Sequence, residues 1–165
     1  MKKVINLKNV LFCALLVLTM AFNTINVQAD ALDYLGNTID GSVLTNDTES
    51  IGNYQSVARS TYLHQGFVRI TNNGNGYVGI FGGTQCNVSC GTVKLNIYLE
   101  RSNGDGNFYS YQKWENVDYN TNSLYMSKEV KVEKGYYYRL RGYHSCTKNG
   151  VTENGGSRTN GIYIG

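Results

Sequence analysis

The sequence predicts an all-β protein, and three observations support this. The 165 residues include 19 Gly and 14 Tyr but no Pro, a composition that suits turns made by Gly and Asn. Several segments alternate apolar and polar residues with the period of a half-buried strand, and none shows a sustained helical stripe. The densest alternating run is GYYYRLRGYHSC at residues 135–146. Short strands with such turns predict an antiparallel two-sheet β-sandwich of about seven strands.

The chain begins with a predicted secretory signal peptide, residues 1–29. Three lysines near its start precede an apolar stretch over residues 10–22, and Ala29 supplies the small residue at the exit. We expect cleavage before Asp30, with a second site two residues further on. The apolar stretch is shorter than the roughly 20 residues that a spanning helix needs, so an uncleaved membrane anchor is the weaker alternative. The sequence thus predicts a secreted, extracellular protein without membrane attachment after cleavage.

The charge of the mature chain argues against two classes of partner. Three of the 15 Lys and Arg leave with the signal peptide and none of the 12 Asp and Glu does, so residues 30–165 carry no net charge. Proteins that bind nucleic acids or anionic membrane surfaces usually present an excess of basic residues. We therefore expect neither partner, although a local basic patch at Arg139 and Arg141 remains open.

The mature chain is predicted to divide near residue 60. Residues 30–60 are polar, with Gly and Asn turn signals, and are predicted to form a loosely structured leader with one short strand at residues 42–44. Residues 61–165 are predicted to form the sandwich domain. Its strands are expected at residues 63–71, 77–82, 93–99, 108–117, 124–132, 136–146 and 162–164, with a Gly-rich loop at residues 148–160.

Two of these strands carry most of the prediction. Residues 93–99 alternate four apolar side chains with polar ones, and burying them would contribute about 1.5–3 kcal/mol each. In the 136–146 strand one face is expected to be buried, namely Tyr136, Tyr138, Leu140, Gly142, His144 and Cys146. The opposite face is the candidate binding surface, formed by Tyr137, Arg139, Arg141 and Tyr143. Tyrosine and arginine often anchor interfaces, whereas the alternative is cross-strand packing with solvated arginines.

These segments also resemble known proteins. GYYYRLRG and the loop after it resemble the F strand and F–G loop of fibronectin type III and related immunoglobulin-like modules, and residues 93–101 resemble a central strand of that fold. The signal peptide together with VKLNIYLER, Trp114, GYYYRLRGYHS and ENGGSRTNGIYI is similar to small secreted proteins of unknown function from Gram-positive, spore-forming anaerobes. That resemblance spans roughly residues 62–164 and names no activity. It implies that His144 and Glu153 are a structural pair.

Three cysteines remain after cleavage: Cys86, Cys90 and Cys146. An exported protein can keep disulfides, and an odd number allows at most one intramolecular bridge. If the strands of residues 93–99 and 136–146 are antiparallel neighbours, Cys90 lies near Cys146, and this pair is the predicted disulfide. A bridge between Cys86 and Cys90 and three reduced thiols are the alternatives.

The sequence shows no motif that defines a cofactor or metal site. The glycines at positions 74, 76 and 79 match a dinucleotide fingerprint, but a predicted strand follows where that motif needs a helix. Residues 118–129 place Asp118, Asn120, Asn122 and Glu129 near the spacing of a calcium loop, without its glycine or its flanking helices, so calcium binding is left open. We expect no metal and no cofactor.

The function predicted from the sequence is a non-enzymatic extracellular binding or cell-surface interaction module, whose partner is a protein or a cell-wall glycan. The absence of a catalytic motif in the sequence favours this class. Two alternatives remain. One is a small secreted hydrolase that uses His144 and Glu153, and the other is a secreted toxin or antagonist.

Overall fold

A computed structural model describes residues 31–55 and 60–165. The predicted signal peptide lies outside the described residues. The described ranges contain a short 3₁₀ helix, Ala31–Tyr34, followed by strands only. The strands are β1 Thr38–Ile39, β2 Ser42–Thr45, β3 Glu49–Gln55, β4 Leu63–Gly74, β5 Tyr77–Ser102, β6 Tyr109–Lys131, β7 Tyr136–Lys148, β8 Val151–Arg158 and β9 Gly161–Ile164. The all-β class is confirmed. None of the helical residues described forms a segment long and apolar enough to span a bilayer.

The strands form one curled sheet in the order β1-β2-β9-β7-β5-β4-β3, with β6 paired to β5 and β8 to β7. The β2–β9 pair is parallel. This arrangement differs from the predicted pair of separate antiparallel sheets. The difference arises because two pairs of predicted strands are continuous. Residues 77–82 and 93–99 both belong to β5, and the strands predicted at 108–117 and 124–132 both belong to β6 except for residues 108 and 132.

The long β5 strand carries the sheet from one half of the molecule to the other. Its first part pairs with β4, and its second part pairs with β7. Between Gln85 and Cys90 its register with β6 shifts, and such bulges bend strands. The two halves therefore face each other. They approach closely at Gly66, where an added Cβ would lie 2.2 Å from the ring of His144.

The core lies between these facing halves. The predicted alternation in residues 93–99 is confirmed, since Val93, Leu95, Ile97 and Leu99 are all completely buried. Side chains from β4, β7 and β9 complete the cluster, including Val68, Ile70, Tyr138, Leu140, Ile162 and Ile164. A second, smaller cluster holds Ala31, Ile39, Leu44 and Tyr137.

Two segments that were expected to be irregular belong to the sheet. The segment predicted as a loosely structured leader contributes β1, β2 and β3, and β3 pairs with β4 over seven positions from Glu49↔Thr71 to Gln55↔Gln65. The predicted Gly-rich loop contains β8, which pairs with β7 from Arg141↔Arg158 to Lys148↔Val151. Strands β1, β3 and β8 lie at edges of the sheet, where fewer apolar side chains are needed, so alternation of apolar residues does not mark them.

Candidate functional site

The outer surface of β6, β5, β7 and β8 carries a row of cationic and aromatic side chains. The strand registers place Lys113 beside Tyr98, Tyr98 beside Arg141, and Arg141 beside Arg158. Neighbouring strands are about 4.8 Å apart, so these four residues run in a line across the sheet. Tyr143 lies in the next row, opposite Gly156 on β8.

An open cleft of about 520 Å³ follows this row. It is lined by Tyr98, Arg141, Gly142, Tyr143, Gly156, Ser157 and Arg158. Gly156 leaves part of its floor without a side chain, whereas the arginines and tyrosines stand at its sides. The side chain of Arg141 is 50% exposed, and Tyr143 is 39% exposed. The cleft therefore contains two of the four residues predicted as a binding surface.

The cations around the cleft differ in how their charge is balanced. The guanidinium of Arg141 donates to Oε1 of Glu100 over 2.6 Å and lies 5.4 Å from the ring centroid of Tyr98. Lys113 contacts the same ring and forms an ion pair with Glu115. Arg158 is exposed and forms no ion pair with the residues described. Of the three cations in the row, Arg158 is thus the one left to pair with an anion from outside.

The other two predicted surface residues, Tyr137 and Arg139, are buried, so their assignment to an exposed face is wrong. Tyr137 is 0% exposed and its hydroxyl donates to the carbonyl of Ala31 over 2.9 Å. Arg139 is 3% exposed and donates from Nε to Oε2 of Glu100 over 2.8 Å. Its guanidinium also pairs with Asp40. The covering residues come from the segment that the sequence predicted to be a loose leader, which explains the error.

His144 is a buried structural residue. Nδ1 lies 2.9 Å from Oγ1 of Thr84, and Nε2 lies 2.7 Å from Oγ of Ser157. The ring is completely buried, and burial lowers the pKa of His144 to about 4. At neutral pH the imidazole is therefore uncharged, and both nitrogens have partners inside the protein.

Glu153 holds β8 to the beginning of β4. Its carboxylate accepts hydrogen bonds from the Ser60 hydroxyl at 2.7 Å and from the backbone N–H groups of Thr61, Tyr62 and Leu63 at 2.9, 2.8 and 2.7 Å. Burial acts to raise the pKa of Glu153, but these four hydrogen bonds outweigh it and lower the pKa to about 2. In the part of the chain that is described, Glu153 and His144 have different partners, and neither bonds the other. They do not form the acid–base dyad that a hydrolase would need.

The three cysteines converge inside the molecule. Cys86, Cys90 and Cys146 are buried, and their sulfur atoms all lie within 4.8 Å of one another. All three are unbridged. Burial raises the pKa of the Cys86 thiol to about 12 and also raises that of Cys146. The structure places Cys90 near Cys146, but it also brings Cys86 to the same point. The disulfide stays a prediction.

The four residues near calcium-loop spacing all lie along β6. Asp118 pairs with Val93 in one half of the sheet, and Glu129 pairs with Gly79 in the other. Eleven residues of extended strand span roughly 35 Å, so these carboxylates do not converge on one ion. The glycines at positions 74 and 76 flank Asn75 in the hairpin turn between β4 and β5, and a strand rather than a helix follows them.

The sequence prediction missed Tyr98 and Arg158 as cleft residues, and it missed Lys113 as a member of the row beside the cleft. Alternation places Tyr98 and Arg141 on polar faces of their strands, which is visible in the sequence. The register that aligns them with Lys113 and Arg158 is a property of strand pairing, and for Arg158 the strand itself was not predicted.

Fold and site together define a small all-β protein with a curled sheet, a basic and aromatic outer cleft and a buried group of three cysteines. The chain belongs to the Family of unknown function (DUF6147), whose model matches residues 31–162. The match includes most of the segment that the sequence assigned to a leader. No curated protein matches the chain.

Proposed function

We propose that this is an exported, non-enzymatic binding protein whose outer cleft binds an acidic glycan of the cell surface. The observation that carries the proposal is the row Lys113–Tyr98–Arg141–Arg158, which crosses four strands beside a cleft of about 520 Å³. The export half of the proposal rests on the signal-peptide pattern of residues 1–29.

The chemistry of the cleft suits a sugar chain with carboxylate or phosphate groups. A guanidinium presents a planar fork of donors that matches such anions, and the hydrogen bonds are charge-assisted. Tyrosine rings offer flat apolar faces with a polar tip, which suits the mixed surface of a sugar ring. Gly156 allows a chain to lie close to the backbone of β8, because an added Cβ there would meet only the carbonyl of Gly142, at 3.6 Å.

The positions of the two titratable candidates favour binding over hydrolysis. His144 is buried between Thr84 and Ser157, and the carboxylate of Glu153 is occupied by Ser60 and three backbone donors. We further propose that the two facing halves of the curled sheet serve as the two layers of an immunoglobulin-like sandwich. In that arrangement the cleft lies on the solvent side of one layer.

The binding proposal is tested with the chain of residues 30–165 and two soluble polysaccharides. Polygalacturonate carries a carboxylate on every sugar, whereas dextran is neutral. We expect binding to polygalacturonate in isothermal titration or affinity electrophoresis. The variant Arg158→Gln should weaken it roughly tenfold, which corresponds to about 1.4 kcal/mol and is the size expected for one lost charge-assisted contact.

Lys134→Gln is the matched control, since it removes one positive charge from an exposed side chain far from the cleft. Equal weakening by both variants, or no binding to the acidic polymer, would contradict the proposed site. Export is tested separately by sequencing the N-terminus of the protein recovered from culture medium. It should begin at residue 30 or 32.

A further inference from the structure

The buried cysteines are brought together by a local irregularity of β5. Residues four apart on a regular strand are about 13 Å apart, too far for their sulfur atoms to meet. In β5, however, the pairing with β6 passes from Gln85↔Ser123 to Cys90↔Thr121, so the β5 side contains extra residues. This bulge turns Cys86 and Cys90 toward the same point, and β7 supplies Cys146 there. All three sulfur atoms lie within 4.8 Å of one another.

A disulfide would account for only two of these three sulfurs. Any bridge leaves the third thiol buried against it with no role of its own. A thiolate–metal bond is about 2.3 Å long, and an ion equally distant from three sulfurs needs them about 4 Å apart. The observed separations are compatible with that arrangement after small side-chain adjustments. The convergence of all three sulfurs is therefore better explained by an ion than by a bridge.

We propose that Cys86, Cys90 and Cys146 form a binding site for a thiophilic d¹⁰ metal ion, with three-coordinate Cu(I) as the favoured occupant. Thiolate donors select soft ions such as Cu(I) and zinc. Structural zinc almost always takes four ligands, whereas Cu(I) is satisfied by three sulfurs. Among the residues described, these three cysteines are the whole donor group.

The neighbouring titratable side chains do not supply a fourth ligand. His144 lies two residues before Cys146, but both of its ring nitrogens are hydrogen-bonded to Thr84 and Ser157. Glu153 pairs with Cys146 in the β7–β8 register, and its carboxylate is held by Ser60 and the N–H groups of residues 61–63. The proposed ligands of the ion are therefore the three sulfur atoms.

A surface groove borders the three cysteines on the side of Cys90. This groove of about 580 Å³ includes Cys90 among its lining residues, together with residues 89–92 and 147–150. Lys148 lies at this groove, where its ammonium donates to the carbonyl of Ser89 over 2.6 Å. Binding replaces the three thiol protons, which pass to solvent, by one cation, and no electron is transferred. The positive charge of Lys148 partly balances the negative charge of the resulting thiolate complex.

The test uses the chain of residues 30–165, purified anaerobically and titrated with Cu(I) against a chromogenic Cu(I) chelator. We expect one Cu(I) per chain, with a sulfur coordination number of three by X-ray absorption. Each of Cys86→Ser, Cys90→Ser and Cys146→Ser should lower the Cu(I) affinity by at least about 100-fold, since loss of even an outer-shell partner costs 10–100-fold. Ser89→Ala is the control and should bind normally.

Other outcomes would overturn the proposal. Protein purified without reductant or metal whose mass is lower by two hydrogens would contain a disulfide, which removes two donors. Binding of Zn(II) without binding of Cu(I) would overturn the choice of ion. If Cys146→Ser fails to fold, Cys90→Ser provides the test instead, because it alters the residue that lines the groove. Binding of polygalacturonate should be unchanged in all three variants, which separates this site from the outer cleft.

Discussion

His144 illustrates how burial decides the chemistry of a single residue. Its sequence neighbourhood suggested either a catalytic base or a structural residue, and the two roles require opposite environments. A general base needs access to substrate and a pKa near the working pH. His144 instead lies under Gly66, bonded through both nitrogens, and burial lowers its pKa to about 4. The residue therefore stabilises the packing of β4 on β7.

We predict that His144 makes the protein less stable in mild acid. Between pH 6.5, the ordinary pKa of histidine, and pH 4, the unfolded chain binds a proton that the folded chain excludes. The free energy of unfolding should therefore fall as the pH falls through this window, by about 1.4 kcal/mol per pH unit and about 3 kcal/mol in total. Above pH 6.5 the imidazole is neutral in both the folded and the unfolded chain, so the stability no longer changes with the titration of His144. Urea titrations at several pH values measure it.

The matched variants for this prediction are His144→Gln and His64→Gln. His144→Gln should flatten the pH dependence between pH 4 and 6.5, whatever it does to the stability at pH 7. His64→Gln alters an exposed residue and should keep the slope. An unchanged slope in His144→Gln would show that another group causes the acid sensitivity. Glu153 cannot be that group, because its pKa is lowered from 4.5 to about 2. Its effect on the free energy of unfolding therefore falls between those two pH values.

At the same scale, alternation along β7 predicted burial correctly on one face only. Tyr138, Leu140, His144 and Cys146 are completely buried, as the period of two indicates, whereas Tyr136 at the start of this face is only half-buried. The other face is divided, since Arg141 and Tyr143 are exposed whereas Tyr137 and Arg139 are covered. Alternation tells which residues share a face, but it does not tell what covers that face.

At the scale of elements, the sequence located strand-forming stretches better than it located strand ends. The polar segment CNVSC interrupts the alternation between residues 82 and 93, so two strands were predicted where β5 is continuous. The interruption is the bulge that bends β5 and gathers Cys86 and Cys90. Strand β8 was missed because VTENGGSR contains one apolar residue, and its place at an edge requires no more. Local patterns therefore reveal elements that bury side chains and overlook those held mainly by backbone hydrogen bonds.

We predict that Gly66→Ala destabilises the contact between the two halves of the sheet. The new Cβ would lie 2.2 Å from Cγ of His144, and the ring cannot move away without losing its bonds to Thr84 and Ser157. Overpacking together with weakened hydrogen bonds should lower the free energy of unfolding by about 2–4 kcal/mol, as measured in urea.

Gly91→Ala is the control for that substitution. Its Cβ would meet only the carbonyl of Thr147, at an ordinary 3.5 Å. Its effect should stay within about 0.5 kcal/mol. Similar losses in both variants would indicate that the glycine backbone, rather than the contact with His144, sets the cost.

At the scale of the whole molecule, the N-terminal segment completes the fold. Strand β2 adds a parallel partner to β9, and β3 covers the edge of β4. The same segment buries Tyr137 and closes over the Arg139–Glu100 pair through Asp40. The contacts of this segment with β9, Tyr137 and Arg139 join residues about 100 positions apart in the chain. Sequence patterns with periods of two or four cannot reveal them, and residues 30–60 therefore looked like a separate leader.

We predict that a chain beginning at residue 61 does not fold stably, whereas a chain beginning at residue 30 does. The shorter chain loses one partner of β4 and one of β9, and it exposes the apolar cluster around Tyr137. Each large apolar side chain of that cluster contributes about 1.5–3 kcal/mol when buried, so their sum approaches the 5–15 kcal/mol that stabilises a typical domain. The shorter chain also leaves the buried Arg139 and Glu100 open to water at one end of the sheet. Thermal unfolding followed by circular dichroism should show a cooperative transition only for the longer chain. Equal midpoints for the two chains would instead restore residue 61 as the domain boundary and would mean that the contacts of β2 and β3 contribute little to the fold.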